Sequence, residues 1–261
     1  MSTSRPDRPL ALVTGASRGI GLAIAATLAP THRLRLVARR LESLETAAAS
    51  LREGAAGVDL DIESWPCDLA DADARRALCG KAAEADVDVL INNAGIARSA
   101  PIHRTSDEDW SALMAINLTA PFELTRAVLG GMKKRGWGRI VNIASTASLK
   151  GYRYTAAYNA SKHGLLGLTR GAALDVASNG ITINAICPGF TATDMVQAAV
   201  DNISAKTGRS EAEARQELAS INPQGRLIEP DEVAAMVAYL VTEAARGIHG
   251  QALAIDGGDT A

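Results

Sequence analysis

Short hydrophobic segments alternate with longer amphipathic segments along the whole chain. Several of the short segments are runs of Val, Ile and Leu without polar–apolar alternation, as in residues 10–15. Such runs are typical of strands that are covered on both faces. We predict seven strands, at residues 10–15, 33–39, 65–69, 88–95, 139–145, 181–189 and 251–258.

Segments rich in Ala, Leu, Arg and Glu separate the predicted strands. We predict helices at residues 19–29, 41–53, 71–84, 119–135, 156–178 and 230–245. Strand–helix alternation favours a parallel sheet with helices on both faces. Because no linker, low-complexity tract or repeat interrupts the alternation, we predict one doubly wound α/β domain of the Rossmann type over residues 1–261.

The longest insertion without a strand pattern is residues 190–229. It follows the carboxyl end of the sixth predicted strand, the edge at which doubly wound sheets bind their ligands. We therefore predict a mostly helical flap that covers a substrate site.

Composition and charge narrow the class of partner. The 261 residues are 47% hydrophobic and 21% charged, with a net charge of -2, which argues against a nucleic-acid or membrane-surface partner. No apolar run approaches the roughly 20 residues that span a bilayer. Residues 1–10 lack the apolar core of a secretory signal, so we expect a cytoplasmic protein.

Cysteine and histidine positions give no sign of a metal site. Cys67, Cys79 and Cys187 are widely separated and form no CxxC pair, and we expect them to be reduced thiols. The histidines show no HExxH spacing. We predict no metal.

The segment TGASRGIG, residues 14–21, leaves the first predicted strand and opens the first helix. Gly15, Gly19 and Gly21 allow a sharp turn and a close approach of the backbone to a ligand. The amides of the helix start then face an anion, helped by the helix dipole. We predict a dinucleotide site here.

The same segment contains GxSxG, the nucleophile motif of α/β hydrolases, with Ser17 at its centre. His249, with Asp231 or Asp175 as the acid, would then complete a catalytic triad. An elbow serine normally follows several strands, and Gly21 would have no role, so the dinucleotide interpretation is favoured over a serine hydrolase.

The end of the second predicted strand bears on the choice of nicotinamide cofactor. NAD sites commonly place an acidic residue there, whereas NADP sites place arginine for the 2′-phosphate. Arg39 and Arg40 occupy this position, and Glu42 follows too late. Arg18, in the glycine turn, could converge on the same phosphate, so we predict NADP(H), with NAD(H) as the alternative.

A tyrosine and a lysine lie four residues apart in YNASK, and residues with this spacing share one helix face. Of the neighbouring tyrosines, only Tyr158 has such a partner, Lys162; Tyr152 and Tyr154 do not. We expect the ammonium, with a cationic nicotinamide, to lower the pKa of Tyr158 enough for acid–base catalysis.

Ser145, at the tip of the fifth predicted strand, could hydrogen-bond a substrate carbonyl beside Tyr158, with Thr146 and Ser148 as competitors.

Four motifs together identify a family: TGASRGIG, NNAG at 92–95, YNASK at 158–162 and CPGFTATDM at 187–195. Over essentially its full length the chain resembles the short-chain dehydrogenase/reductase family. The resemblance implies a seven-stranded doubly wound sheet, a small-molecule carbonyl or alcohol substrate, and a homo-oligomer, commonly a tetramer.

The resemblance also implies residue roles. Ser145 would orient the substrate, Tyr158 would exchange the proton, Lys162 would bind the nicotinamide ribose, and Asn117 would hold a water in the proton relay. With the turn and arginine positions included, the cofactor contacts would be Gly15, Ser17, Arg18, Gly19, Ile20, Gly21, Arg39, Arg40, Asp68, Leu69, Asn93, Ala94, Gly95, Tyr158, Lys162, Pro188, Gly189, Thr191 and Thr193.

Within the family the chain looks most like ketoreductases of 3-oxoacyl thioesters bound to CoA or a carrier protein. Alternatives are an NAD-dependent dehydrogenase of small, cyclic or steroid alcohols and a non-catalytic scaffold, the latter opposed by the complete catalytic set. Lys206, Arg209 and Arg215 in the flap could contact the phosphates of such a carrier, but their charge-mixed segment favours a solvated helix face.

Overall fold

A computed structural model describes residues 8–55 and 57–261. Its centre is a parallel sheet of seven strands in the order β3-β2-β1-β4-β5-β6-β7, which confirms the predicted doubly wound α/β fold. The strands are β1 (Leu10–Thr14), β2 (Arg33–Ala38), β3 (Ile62–Pro66), β4 (Val89–Asn92), β5 (Gly138–Ile143), β6 (Ile181–Pro188) and β7 (Ala252–Ile255).

Helices cover both faces of the sheet. They are α1 (Gly19–Leu28), α2 (Leu41–Gly54), α3 (Ala72–Glu84), α4 (Asp107–Met114), α5 (Ala120–Arg135), α6 (Ala156–Val176), α7 (Asp194–Thr207), α8 (Glu211–Ala219) and α9 (Pro230–Leu240). One apolar cluster joins the sheet to α1, α2 and α9, with Ile24, Leu44 and Val237 among its members. A second joins the other face to α3, α5 and α6, and burial of both clusters is the main favourable term in folding.

The order in which successive strands are added to the sheet reverses at β1, which pairs with β2 on one side and with β4 on the other. Such a switch point leaves a crevice at the carboxyl ends of the strands, where ligands bind. In this protein Thr14 and Asn92 end the two strands at the crevice.

The third strand lies three residues earlier than predicted, at Ile62–Pro66 rather than 65–69. Residues 68–71 form a turn instead, because Asp68 accepts hydrogen bonds from the backbone N–H groups of Ala70 and Asp71. β3 lies at the edge of the sheet and mixes two buried residues, Ile62 and Trp65, with more exposed ones, so it lacks the continuous apolar run that marks the central strands.

The helix predicted at 119–135 begins earlier than expected. α4 starts after Ser106, whose side chain accepts from Asp109 N, and a π-helical segment, Ala115–Thr119, connects α4 to α5. At the other end of the chain, α9 stops at Leu240 rather than 245, and a short 3₁₀ turn follows at Glu243–Ala245.

The flap of residues 190–229 is helical, as predicted, and consists of α7 and α8. The two helices bury a small apolar cluster of their own, which includes Val196, Val200 and Leu218. A bridge between Thr191 and Ile228 closes the base of the flap. Within the described residues, no helix has the length and apolar character needed to cross a membrane.

Candidate active site

The glycine turn after β1 is packed against the loop that follows β4. Gly15 has a φ of 66°, in the left-handed region, and a Cβ added there would lie 2.9 Å from Ala94 Cα. A Cβ on Gly21 would lie 2.2 Å from Gly15 O, which is closer than any real contact. Because neither glycine carries a Cβ, the turn can pack this closely on itself and on the loop after β4. The backbone amides at the start of α1 then remain accessible to an anion.

Asn93 fastens this turn to β4. Its side-chain amide donates to Thr14 O at 2.8 Å and to Gly15 O at 3.3 Å. The hydroxyl of Thr14 in turn accepts from the backbone N–H groups of Asn93 and Ala94, both at 3.0 Å. These four hydrogen bonds hold the glycine turn against the end of β4, at the base of the crevice.

Ser145, Tyr158 and Lys162 meet at the carboxyl end of β5. Ser145 follows the strand directly, and its hydroxyl lies close enough to the phenol of Tyr158 to influence the pKa of that phenol. Lys162, one turn further along α6, lies with its Nζ 5.9 Å from the centre of the Tyr158 ring. The buried ammonium donates to Ile143 O at 2.9 Å. The i, i+4 spacing in YNASK therefore places both groups on one face of α6.

Burial, rather than charge, dominates the titration of this pair. Burial raises the pKa of Tyr158, and the hydrogen bond from Ser145 acts in the opposite direction. Burial also lowers the pKa of Lys162 to about 8, because the charged amine has left water. Burial therefore opposes the lowering of the Tyr158 pKa that was expected from the ammonium, and the lowering by a cationic nicotinamide stays a prediction.

Asn117 lies in the π-helical segment and is fully buried. Its side chain accepts from Ile96 N and donates to Ile96 O, both at 2.9 Å, and donates to Ser161 Oγ at 3.0 Å. A Cβ on Gly95 would lie 3.4 Å from Asn117 Oδ1 and 3.5 Å from Lys162 Nζ, so both polar groups face the space in front of Gly95. Asn117 therefore joins α6 to the loop after β4, and its water in a relay stays a prediction.

The arginines predicted at the adenosine end are placed differently from one another. Arg39 and Arg40 are exposed at the carboxyl end of β2, where the sequence analysis put them. Arg18 lies instead against Asp194 of α7, with Nη1 2.9 Å from Oδ2, and both side chains are about 70% exposed. The structure therefore brings Arg18 to the flap. The carboxylate of Asp68, at the end of β3, is exposed, and Leu69 beside it is buried.

The predicted contacts near the nicotinamide end lie where β6 leads into the flap. Gly189 N donates to Ile255 O at 3.0 Å, next to Pro188, the last residue of β6. A Cβ on Gly19 would lie 3.1 Å from Thr193 Cγ2, so the glycine turn and the flap base touch. Thr193 in turn donates to Thr191 O at 3.2 Å, which holds the base of the flap in shape.

The hydrolase alternative is wrong. His249 Nε2 lies 2.7 Å from Ala173 O, and its Nδ1 accepts from Ile183 N at 3.2 Å. Both ring nitrogens are thus used by the backbone, near the amino end of β6. Ser17 lies beyond the carboxyl end of β1, so it and His249 are at opposite ends of the parallel strands, and no triad forms.

The contacts that hold Tyr152 near Ser145 were not predicted from the sequence. Lys150 and Tyr152 follow β5, and both contact Asp259 near the carboxyl terminus. Tyr152 also lies 2.7 Å from Thr146 Oγ1. No motif or spacing in the sequence connects residue 259 to residue 152, because only the fold brings them together. Among the residues that the structure describes, no group of three or more His, Cys, Asp or Glu could hold a metal ion.

This arrangement fits a nicotinamide cofactor: a flat glycine turn, arginines at the end of β2, and a lysine amine facing Gly95. The sequence model of the family described as "short chain dehydrogenase" matches residues 9–204. The chain belongs to this short-chain dehydrogenase family, which confirms the predicted resemblance.

Individual relatives are more specific. The chain is 41% identical over 256 residues to the granaticin polyketide synthase putative ketoacyl reductase 1 of Streptomyces violaceoruber, covering 96% of this chain and 93% of the relative. It is 38% identical to the acetoacetyl-CoA reductase of Rhizobium meliloti, covering 95% and 97% of the two chains. Among solved structures, a variant of the actinorhodin polyketide ketoreductase with NADPH is similar, with a TM-score of 0.91, 40% identity and coverage of 97% and 98%.

Proposed function

We propose that the protein is an NADP(H)-preferring ketoreductase that interconverts a 3-oxoacyl thioester and its 3-hydroxyacyl counterpart. The observation that carries this proposal is the phenol of Tyr158, which lies beside the hydroxyl of Ser145 and the buried amine of Lys162. This group lies at the sheet edge that also carries the glycine turn. A carbonyl reductase needs a proton donor, a hydroxyl that binds the carbonyl and a turn that binds the dinucleotide. All three lie here at the carboxyl ends of the strands.

In the proposed reaction the bound cofactor supplies or accepts the hydride. Ser145 and Tyr158 hold the substrate carbonyl between two hydroxyl groups and polarise it. Tyr158 then gives its proton to the oxygen as negative charge develops there. Because burial raises the pKa of Tyr158, the phenol stays protonated and ready to donate at neutral pH. Lys162 hydrogen-bonds the end of β5, and Asn117 hydrogen-bonds both α6 and the loop after β4. A water beside Asn117 would return the proton to Tyr158.

The cofactor would be held by the glycine turn, by Asn93 and Gly95, and by the residues from Pro188 to Thr193. Preference for NADP(H) rests on Arg39 and Arg40, which are exposed where the second strand ends and bind a phosphate readily. A similar ketoreductase has been solved with NADPH, which supports the same preference.

The substrate class is supported by relatives whose names describe ketoacyl and acetoacetyl-CoA reductases. A second candidate is oxidation of a small 3-hydroxy acid with NAD, because the chain is also 38% identical to the D-beta-hydroxybutyrate dehydrogenase of Cupriavidus necator. The flap arginine Arg209 is paired with Glu217, which supports a solvated role rather than contact with a carrier.

We further propose a homotetramer in the cytoplasm. Phe122 on α5 and Leu174 on α6 leave large apolar side chains exposed, 43% and 80% respectively, on helices that pack together. Exposed apolar groups of this kind support an interface between copies of the chain. The free cysteines are consistent with a reducing compartment.

A paired titration with NADPH and NADH, followed by cofactor fluorescence, tests the proposal. We expect tighter binding of NADPH, and we expect Arg39→Asp to weaken it about 10- to 100-fold with little change for NADH, since the 2′-phosphate is the only group that differs. Lys134→Asp, a charge reversal at the exposed carboxyl end of α5, is the control. Equal affinity for both cofactors would contradict the preference.

The reaction itself is measured by consumption of NADPH with acetoacetyl-CoA. Turnover of this thioester supports the ketoreductase proposal. Turnover only with 3-hydroxybutyrate and NAD would favour the second candidate.

A further inference from the structure

We propose that the carboxy-terminal strap, residues 256–261, determines substrate specificity by locking Tyr152 against Phe190, and that this aromatic wall restricts the bulk of the ketone beside Ser145. The proposal deepens the proposed function and rests on it. Residues 256–261 lie outside the part of the chain that the family model matches.

The wall is made of two rings from different loops. Tyr152 and Phe190 meet edge to face, with ring centres 6.1 Å apart and planes at 82°. Tyr152 belongs to the loop after β5, and Phe190 follows the end of β6. β5 and β6 are paired neighbours, with Ile143 opposite Ile186, so the two rings span the gap between adjacent strand ends. Ser145 lies at one of those ends, which places the wall at the mouth of the site.

Tyr152 is held from its hydroxyl end. The phenol of Tyr152 donates to Asp259 Oδ2 at 2.8 Å. Thr146 Oγ1 lies 2.7 Å from the phenol oxygen of Tyr152. Thr146 is the neighbour of Ser145 in the chain, so the ring cannot swing outward without breaking contacts on both sides. Burial and the nearby Asp259 carboxylate raise the pKa of Tyr152. This tyrosine therefore stays neutral and serves as a wall rather than as a second acid.

Asp259 is itself fixed by charge. Lys150 Nζ lies 2.5 Å from Asp259 Oδ1 and 3.1 Å from Asp259 O, and the carboxylate is only 10% exposed. A partly buried, charge-assisted hydrogen bond of this kind holds its geometry better than an exposed pair. The lysine neutralises the carboxylate, which leaves the second oxygen free to accept from Tyr152.

The strap also rests on the flap. A Cβ on Gly257 would lie 1.8 Å from Asn222 Oδ1, so the strap passes closely over the end of the flap. Within the strap, Asp256 accepts from Gly258 N at 2.9 Å and from Thr260 N at 3.0 Å. The strap thus contacts the end of the flap at Asn222 and the loop after β5 at Tyr152. Tyr152 in turn contacts Phe190, the first residue of the flap. The strap is placed to set the width of the site.

The test compares a compact and a bulky free ketone, cyclohexanone and 2-tetralone, in the NADPH-dependent direction. Tyr152→Ala removes the wall, and we expect the ratio of kcat/KM for 2-tetralone to that for cyclohexanone to rise at least about tenfold, the scale on which pocket size discriminates substrates. Tyr152→Phe and Asp259→Asn keep the wall but remove the lock, and we expect the ratio to rise about two- to fivefold, mainly through KM.

Thr260→Val is the matched control, because it removes the hydrogen bond from Thr260 Oγ1 to Asp256 Oδ2 inside the strap without touching Tyr152. A purely structural role predicts lower thermal stability for all variants with an unchanged ratio, and this result would overturn the proposal. NADPH affinity, measured by fluorescence, reports that each variant is folded. Failure of the wild-type protein to reduce acetoacetyl-CoA would overturn the proposed function alone, since the ratio uses only the two free ketones.

Discussion

The two sides of the candidate site are built by different means. On the cofactor side the backbone itself makes the surface: Gly15 and Gly21 allow contacts that no side chain could tolerate, and Asn93 hydrogen-bonds the carbonyl groups of the turn. On the substrate side, side chains from distant segments make the surface, as where Tyr152 meets Phe190 and Asp259.

This difference has a consequence for function. A backbone cradle recognises a phosphate whatever the rest of the ligand is, and it tolerates almost no substitution. A wall of side chains changes its shape with one substitution while the strands behind it stay in place. The family match covers the cradle and ends at residue 204, before the strap. The match also includes Tyr152 and Phe190 on the substrate side, so the strap that holds Tyr152 is the part of the wall that lies outside it.

The largest effect is expected where the two sides meet, at Tyr158. Replacement Tyr158→Phe removes only the hydroxyl, and we expect kcat to fall by about 10²–10⁴-fold, the contribution of a general acid. The Kd for NADPH should change less than about threefold, because the cradle is untouched. Tyr154→Phe, at an exposed tyrosine in the loop before α6, is the control. Steady-state kinetics that show equal kcat for both variants would contradict the assigned role of Tyr158.

The cradle itself is tested by Gly21→Ala. The added Cβ would meet Gly15 O at 2.2 Å, so we expect loss of NADPH binding and a decrease of about 1–3 kcal/mol in the free energy of unfolding. Gly80→Ala in α3 is the matched control, since nothing lies within 4 Å of its added Cβ. The control should gain up to about 1 kcal/mol from helix propensity. Urea unfolding measures both, and equal changes would show that the turn has room after all.

A pH-dependent effect is expected from Lys162. Its pKa is lowered by burial from 10.5 to about 8, so between these pH values the unfolded chain holds a proton that the folded protein has lost. The free energy of unfolding therefore gains a contribution as pH rises through this window, and loses it as pH falls through 8. Relative to Lys162→Met, the wild type should gain on the order of 1–3 kcal/mol. Urea unfolding at several pH values gives the difference, and parallel curves would show that the amine is not desolvated.

The smallest effect is expected at the ion pair between Arg18 and Asp194, which joins the glycine turn to the flap. Arg18 and Asp194 are about 70% exposed, so Asp194→Asn should change the free energy of unfolding by less than about 0.5 kcal/mol. If the freed Arg18 turns to the 2′-phosphate, NADPH should bind slightly tighter, by at most about threefold, and NADH should not change. Gln197→Ala, one turn along α7, is the control. A large loss of stability would show that this contact holds the flap in place.

Much of the fold was predictable because the central strands are buried on both faces. β1 and β4 appear in the sequence as short apolar runs that end in one polar residue, a length that favours strands over helices. Thr182 and Asn184 interrupt the run in β6, but all eight of its residues are buried. β3 was misplaced because this edge strand mixes buried and exposed residues and has no continuous apolar run to mark it. The π-helical segment that carries Asn117 has no sequence pattern of its own, so the helix there was predicted too short.

The candidate site divides in the same way. The sequence by itself determined the local parts: the glycine turn, in which three glycines lie within seven residues, and the i, i+4 pair of Tyr158 and Lys162. Only the tertiary structure decided the direction of the Tyr158 pKa, because burial depends on every segment packed around the phenol. It also decided that Arg18 lies against Asp194 and that Asp259 holds Tyr152. These partners are 176 and 107 positions apart in the chain, so no local sequence pattern predicts that they are in contact.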